Sequence, residues 1–414
     1  MTELDLKQVK KVFFIGIGGI GISAIARMMH LEGKDVSGSD MAENELTTEL
    51  KELGINITIG QGYELIPQDT DLIVYTIAIP HYDPQLFEQV KSSKILYKSY
   101  PEMLGIVTAN KYTIAVAGTH GKTTTTAMIA KILIDAGLDP SVIVGSLLKE
   151  YKSNLIVGKS EYFVVEACEY ERSFLNVKPK LLVITNIEAD HLDYYKDLND
   201  IKSAFQELEN QSGQVIKDYT EYLDEIPKLK VPGEHNRLDA AAAYAAAKVL
   251  NIEDEVIQKS LSEFSGTWRR LEERGKTENG TIIYDDYAHH PTEIKASLQA
   301  LRELYPNKKI TIVFQPHLYS RTRALFKEFS ECWKGADEIV FLPIYFAREQ
   351  KDENVSSNKL AEAVFAHGEK AIAFTDFELA EEYLKGKTFG SNDVFVTMGA
   401  GEAYKVADKV FKLI

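Results

Sequence analysis

Two glycine-rich turns constrain this chain more than any other feature, because each closes a short apolar run and opens a helix-forming one. The first is Gly16-Ile17-Gly18-Gly19-Ile20-Gly21, between "KVFFI" and "ISAIARMM". The second is Gly118-Thr119-His120-Gly121-Lys122-Thr123, between "KYTIAVA" and "TTTAMIAKILIDAG". Such a turn permits a tight reversal and brings backbone N–H groups up to an anion at the positive end of the helix. Two of them predict two strand–turn–helix units, each able to hold a phosphate. Each could hold a phosphate on its own, which raises the question of why one chain carries both.

At 414 residues the chain exceeds one ordinary core and predicts two or three domains. The first unit continues after its helix with "KDVSGSD" and the buried run "TDLIVYTIAIP", and it closes near Val107. The second continues with "EYFVVEA", "KLLVITNIEAD" and the alanine-rich helix "GEHNRLDAAAAYAAAKVL". A third begins near Thr267, with strands in "TIIYDDYAHHP", "KKITIVFQPH", "DEIVFLPIY" and "NDVFVTMGAG". Apolar runs alternating with helices read as parallel α/β sheets. The expected segments are 1–108, 109–266 and 267–414.

Composition narrows the partners. A net charge of -15 argues against nucleic acid and anionic membranes, so an anionic substrate must be held by local devices. No apolar run reaches the ~20 residues of a membrane span, which predicts no membrane insertion. Lys7, Lys10 and Lys11 before an apolar run imitate a signal peptide, but the glycines at 16, 18, 19 and 21 fit a structural turn better. Two cysteines, Cys168 and Cys332, cannot build a disulfide framework and suit a reducing cytoplasm.

The first turn, with Asp40 closing the second strand, fits a dinucleotide, flavin or nucleotide-sugar site. The second lacks the leading glycine of a standard P-loop, since Val116 stands there. It still places N–H donors, the Lys122 ammonium and the Thr123 hydroxyl at one helix start. Glu166 and His191 follow buried strands, at the edge where open α/β sheets bind ligands, and Glu166 can give oxygen to Mg²⁺. "DDYAHHPTE" and "QPHLYSRTR" bring His289, His290, His317, Arg321 and Arg323 to one edge of the third unit, where guanidinium groups suit carboxylates or phosphates.

Taken in order, "GIGGIGISAIARMM…VSGSD", "GTHGKTTTT", "VVEACEYERSFL", "TNIEADHLDYY", "GEHNRLDAAAA", "WRRLEERG", "DDYAHHPTEI", "QPHLYSRTR" and "MGAGEAY" resemble the Mur ligase family, most closely its L-alanine-adding branch. The resemblance implies three α/β domains: a Rossmann-like N-terminal domain for a UDP-sugar, a P-loop-type central ATPase domain with a parallel sheet, and a Rossmann-like C-terminal domain for the amino acid. It implies UDP-N-acetylmuramate and L-alanine as substrates, ATP and Mg²⁺ as cofactors, and a monomer or weak homodimer. By motif, Gly16, Gly18, Gly19, Ile20, Gly21, Asp40 and Thr76 would face the UDP-sugar. Gly118, Thr119, His120, Gly121, Lys122, Thr123 and Thr124, with His235, Asn236, Arg270 and Asp285, would face the nucleotide. Thr123, Glu166 and His191 would hold the metal, and His289, His317, Arg321 and Arg323 the L-alanine. The catalytic set implied is Lys122, Glu166, His191, His289 and Arg321.

Three departures from the family pattern stand out. Leu318 occupies the usual arginine position after "QPH", the acidic string after Glu166 reads Cys168-Glu169-Tyr170-Glu171, and the stretch from Asp193 to Gly233 is short. With Leu318 there, Arg321 is the expected cation for the amino-acid carboxylate, and Leu318→Arg would restore a second. The rival readings are an NAD-dependent oxidoreductase, a non-catalytic nucleotide-binding module, and a ligase adding another amino acid or a peptide.

Overall fold

The computed structural model of the chain describes residues 4–346 and 349–413. Its strands form three sheets. The first contains β1 (Lys11–Ile15), β2 (Asp35–Asp40), β3 (Asn56–Ile59), β4 (Leu72–Tyr75) and β5 (Leu96–Ser99) in the order β3-β2-β1-β4-β5. Every pairing in it is parallel. The second contains β6 (Tyr112–Ala117), β7 (Ser141–Leu148), β8 (Ser153–Ile156), β9 (Tyr162–Glu166), β10 (Leu181–Ile184) and β11 (Gln214–Ile216), ordered β11-β10-β6-β9-β7-β8. The third contains β12 (Glu272–Lys276), β13 (Ile282–Asp286), β14 (Lys309–Phe314), β15 (Glu338–Phe341), β16 (Ala371–Ala373) and β17 (Asp393–Met398), ordered β12-β13-β17-β14-β15-β16. One edge strand of each of these two sheets, β8 and β12, runs antiparallel to its neighbour.

Burial explains the parallel pattern. β4, β10 and β15 are buried at every residue, as strands covered on both faces must be. Removing a side chain such as Phe14 or Phe395 from water contributes about 1.5–3 kcal/mol each. The alanine-rich helix, Glu234–Val249, is buried continuously from Asp239 to Ala247, and its small side chains let neighbours approach closely. No helix among the described residues is long and apolar enough to cross a membrane.

Two expected strands end early. In "TDLIVYTIAIP" the strand stops at Tyr75, and Ile79–Tyr82 turns helical with Pro80 in its first turn. In "KLLVITNIEAD" it stops at Ile184. Thr185 and Asn186 leave the ladder because their side chains bind the carbonyl of His120 instead, and Asn186 also accepts from the His120 N–H at 2.9 Å.

By compactness the chain makes two bodies. One holds residues up to Gly118, Ile129–Ile184 and Ser203–Lys217, and so contains the first two sheets. The other holds Thr119–Met128, Thr185–Lys202 and the chain from Asp218 onward, including the third sheet.

Candidate active site

In the first body, Gly16 takes a φ of 76° and lies so close to Thr76 that a Cβ there would come 2.5 Å from its Cγ2. A side chain is excluded twice over, by conformation and by contact. The Gly18 N–H donates to Asp40 Oδ2 at 2.8 Å, so Asp40 ties the turn to the end of β2. The helix that follows, Ile20–Leu31, is fixed by Asn154, whose Nδ2 donates to the Ile20 carbonyl and to Ser23 Oγ. Tyr100 packs against Gly21, closing the turn from the side. Thus Gly16, Gly18, Gly19, Ile20, Gly21, Asp40 and Thr76 gather at one sheet edge.

Glu166, in the same body, ends β9 as expected. Its Oε2 accepts from the Gly145 N–H at 2.7 Å, and any Cβ at Gly145 would strike that carboxylate. The acid is therefore presented in a fixed position at the carboxyl end of the sheet.

The second body contains a cavity of about 310 Å³. Its walls include His120, Gly121, Thr123 and Thr124 from the phosphate loop, Asn186 and Glu188 after β10, and Tyr219. His235, Asn236 and Asp239 come from the alanine-rich helix, and Arg270, Asp286, Thr292 and Glu293 from the C-terminal segment. Lys122 begins the helix Lys122–Asp135, and its Nζ donates to the Thr119 carbonyl at 3.0 Å, folding the ammonium over the loop. Arg270 donates to Thr123 Oγ1 at 3.2 Å and lies over the Tyr287 ring at 5.1 Å. Arg270 and the first turns of three helices, Lys122–Asp135, Glu234–Val249 and Pro291–Leu304, thus face one cavity, the local arrangement an acidic protein needs to hold a polyphosphate.

Buried carboxyls line the same space. Burial pushes Asp239 up to about 7 and Asp286 up to about 6. Burial also opposes ionisation of Glu293, but His289, His120 and Arg270 hold it well below the usual carboxylate range. His120 goes the other way: burial lowers it, yet Glu188 and Glu293 outweigh that and raise it to about 9.

Asp285, expected at the nucleotide, is instead 1% exposed and turned into the protein. It accepts from Arg269 Nε at 2.7 Å and from Thr397 Oγ1 at 2.6 Å. Alternation along β13 explains the exchange, because neighbouring strand residues face opposite sides and Asp286 takes the cavity side. Arg269 also binds the Gly399 and Gly401 carbonyls and is structural, which leaves Arg270 as the cavity's arginine.

Arg321 is not a spare cation. Its Nε and Nη2 donate to Asp190 at 3.1 and 3.4 Å, and its Nη1 contacts His317 Nδ1 at 3.1 Å. Burial resists the Asp190 charge, but Arg321, His191 and His289 hold the carboxyl far below its ordinary value. Of the five guanidinium N–H groups, three are engaged and two remain without a partner among the described residues. His289 and His317 pack ring to ring at 5.8 Å, and His317 stacks on Tyr345 at 5.4 Å. His191, at a φ of 53°, lines a smaller cavity of about 140 Å³ with Asp190, Arg321 and Arg323. Arg323 leans outward to Asp352. Leu318 is buried at a φ of 70°, so an arginine there would bury a charge rather than add an open cation.

Sequence reading passed over Glu188, Asp190, Asp239, Asp286 and Glu293. Only Glu293 carried a local signal: it stands three residues after His290, the spacing of a helix N-cap and its returning acid.

Three family models match successive stretches of the chain. Residues 11–112 match the Mur ligase family catalytic domain, 116–217 the Mur ligase middle domain, and 269–401 the Mur ligase glutamate ligase domain. The UDP-N-acetylmuramate–L-alanine ligase of Agathobacter rectalis is 38% identical, with 100% of both chains covered. That of Clostridium novyi is 40% identical, with 96% of both covered. The Agathobacter alignment runs 463 positions against 414 residues, so that relative carries residues this chain lacks. Among solved structures, the UDP-N-acetylmuramate–alanine ligase of Thermotoga maritima superposes with a TM-score of 0.82 at 28% identity, covering 97% of this chain and 98% of its own. A murein peptide ligase of Psychrobacter arcticus shares the fold, with a TM-score of 0.71 at 21% identity over 97% and 98% of the two chains. Two glycine turns, three family domains matched in order and relatives alike over their whole length lead to one conclusion: this chain belongs to the Mur ligase family.

Proposed function

We propose that the chain joins L-alanine to the lactyl carboxylate of UDP-N-acetylmuramate with hydrolysis of ATP, a step in making peptidoglycan precursors. The observation that carries this reading is the pair of glycine turns, one for a UDP diphosphate and one, with Lys122 and Arg270, for a triphosphate. The whole-length relatives named for the same reaction support it. The proposed domain limits are 1–108, 109–266 and 267–414.

A carboxylate is a poor electrophile. In the proposed reaction its oxygen attacks the γ-phosphorus, the bond to the ADP oxygen breaks, and an acyl phosphate forms. The amine of L-alanine then attacks the carbonyl carbon, phosphate leaves, and a proton passes from nitrogen to a base. Lys122 and the loop N–H groups spread the charge that develops on the transferred group. Asn236, Arg270 and Thr124 line the cavity that holds the nucleotide in line. The two unengaged N–H groups of Arg321 are offered to the L-alanine carboxylate, while Asp190 holds the guanidinium plane. His289 is half-buried, and desolvation lowers it to about 4, so it stays neutral. Its Nδ1 is turned to the Tyr287 carbonyl at 2.9 Å, which leaves Nε2 a lone pair for the attacking amine's proton.

Thr123, Glu166 and His191 would hold Mg²⁺. The hydroxyl and carboxylate oxygens suit a hard cation, and Gly145 already holds Glu166 in one orientation; the imidazole is the softer donor. When bound, Mg²⁺ neutralises β- and γ-phosphate charge.

Phosphate release from ATP, Mg²⁺ and UDP-N-acetylmuramate, with amino acids added one at a time, tests the reading. Release that depends on L-alanine supports it. Release with no amino acid, or equal release with unrelated ones, overturns it.

A further inference from the structure

Two histidines meet in the second body for which the reaction above has no use. His120 lies in the phosphate loop, and His290 caps the helix Pro291–Leu304. Their ring centroids are 4.8 Å apart. A nitrogen of each and a Glu188 oxygen lie within 4.8 Å of one another. In neither ring does Nε2 have a hydrogen-bond partner among the described residues, and both atoms are buried. His290 as a whole is only 6% exposed. Leaving such atoms without a partner costs stability, so they call for a ligand.

The other ring nitrogens decide which kind. His120 Nδ1 faces Glu293 Oε1 at 3.1 Å, and an ionised carboxylate only accepts, so Nδ1 bears a hydrogen. His290 Nδ1 faces the Thr292 backbone N–H at 3.3 Å, which only donates, so in the neutral ring the hydrogen is on Nε2. His290 therefore offers a donor and no lone pair, which disfavours a metal ion. Burial lowers the His290 pKa and keeps it neutral, while His120 is held protonated, so its Nε2 is also a donor. Glu188 Oε2 stands 3.5 Å from His120 Nε2, too far for a good hydrogen bond, and is tethered by Thr292 Oγ1 at 2.9 Å. It is partly exposed and can swing aside.

We propose that His120 Nε2–H and His290 Nε2–H form a two-donor oxyanion site that receives the transferred phosphoryl group as it passes from ADP to the carboxylate. The proposal deepens the ligase reading and rests on it. Both rings stand at helix starts, and His120 also borders the nucleotide cavity. The site favours negative charge, and a group in flight between two oxygens spreads its charge over the oxygens such donors can reach.

Asparagine places its amide where Nδ1 lies but has nothing at Nε2. His120→Asn and His290→Asn therefore keep the Glu293 and Thr292 contacts and remove the proposed donors, the first together with the His120 charge and its pairing to Glu188, whereas His290→Gln keeps a donor at Nε2. The probe is inorganic phosphate titrated calorimetrically into the protein with Mg²⁺ and ADP, alongside steady-state phosphate release. ADP affinity is measured first in both asparagine variants, and His290→Asn, which does not line the nucleotide cavity, is expected to bind ADP within about twofold of the unaltered protein. Each should lose roughly ten- to hundredfold in phosphate affinity and in kcat, with the KM values for L-alanine and UDP-N-acetylmuramate nearly level. His290→Gln should recover part of the loss. Unchanged phosphate affinity and kcat in both asparagine variants overturn the proposal. So does Mn²⁺ binding without nucleotide that disappears in both, since that assigns a metal. If His290→Asn fails to fold, His120→Asn decides alone. Absence of L-alanine-dependent turnover in the unaltered protein sinks the ligase reading instead, while phosphate binding to the ADP complex still tests the pair.

Discussion

Asp239 lies beneath the phosphate loop, so near that a Cβ on Gly121 would come 2.2 Å from its Oδ1. Its carboxyl is buried and raised to about 7, whereas an unfolded aspartate titrates near ~3.9. Between those values the folded chain binds the extra proton, so stability falls as pH rises from about 4 through 7. Asp239→Asn removes that penalty. It should raise Tm at pH 8, and the gain should vanish by about pH 4; melting curves across that range check it. Arg321 and Asp190 have the opposite sign. The depressed Asp190 carboxyl contributes stability that is present above about 3.9 and lost as pH falls. Arg321→Ala leaves this acid buried without its guanidinium partner, at a cost near ~3–5 kcal/mol at neutral pH. Asp190→Asn in the same chain should restore part of the loss. Arg321→Ala should also raise the KM for L-alanine roughly ten- to hundredfold, with the other two KM values little changed. A lower Tm with all three KM values level would make Arg321 purely structural.

At the scale of elements, the strand–turn–helix units were legible because their signals are local: apolar runs, glycines and a helix start. Gly121 shows how far such a signal reaches. It marked a turn, and the structure adds a φ of 80° and the Asp239 contact. Gly121→Ala should therefore lower stability by ~1–3 kcal/mol and abolish nucleotide binding, both measurable by calorimetry. What stayed illegible depends on which elements meet. Asp190 and Arg321 are far apart in sequence, as are His120 and Glu293, and no spacing rule joins them. Asp285 and Asp286 were indistinguishable in the motif; only the pleat of β13 sends one inward to Arg269 and the other to the cavity. Leu318 read as an empty cation position, but burial and a left-handed backbone make it a packing residue. Leu318→Arg is accordingly expected to destabilise rather than to help.

For the whole molecule, the first glycine turn lies in one compact body and the second, from Thr119 onward, in the other, and a ligand bound at either would stabilise the fold by mass action. A ligand at about a hundred times its Kd contributes ~2.7 kcal/mol. Lys122→Ala should erase the Tm rise given by a non-hydrolysable ATP analogue and keep that given by UDP-N-acetylmuramate. Loss of both rises in a folded variant would show that the anchors are not separate. The route of the chain has a further consequence, which concerns synthesis on the ribosome. The first body is complete in sequence by Lys217, so both of its sheets can form while the rest is still being translated. The nucleotide cavity cannot, because its walls include Arg270, Asp286 and Glu293. A nascent chain stalled short of those residues carries a finished UDP-sugar turn and an unfinished ATP site. On the proposed reading, such a chain would offer the sugar-nucleotide turn while lacking the walls that enclose ATP.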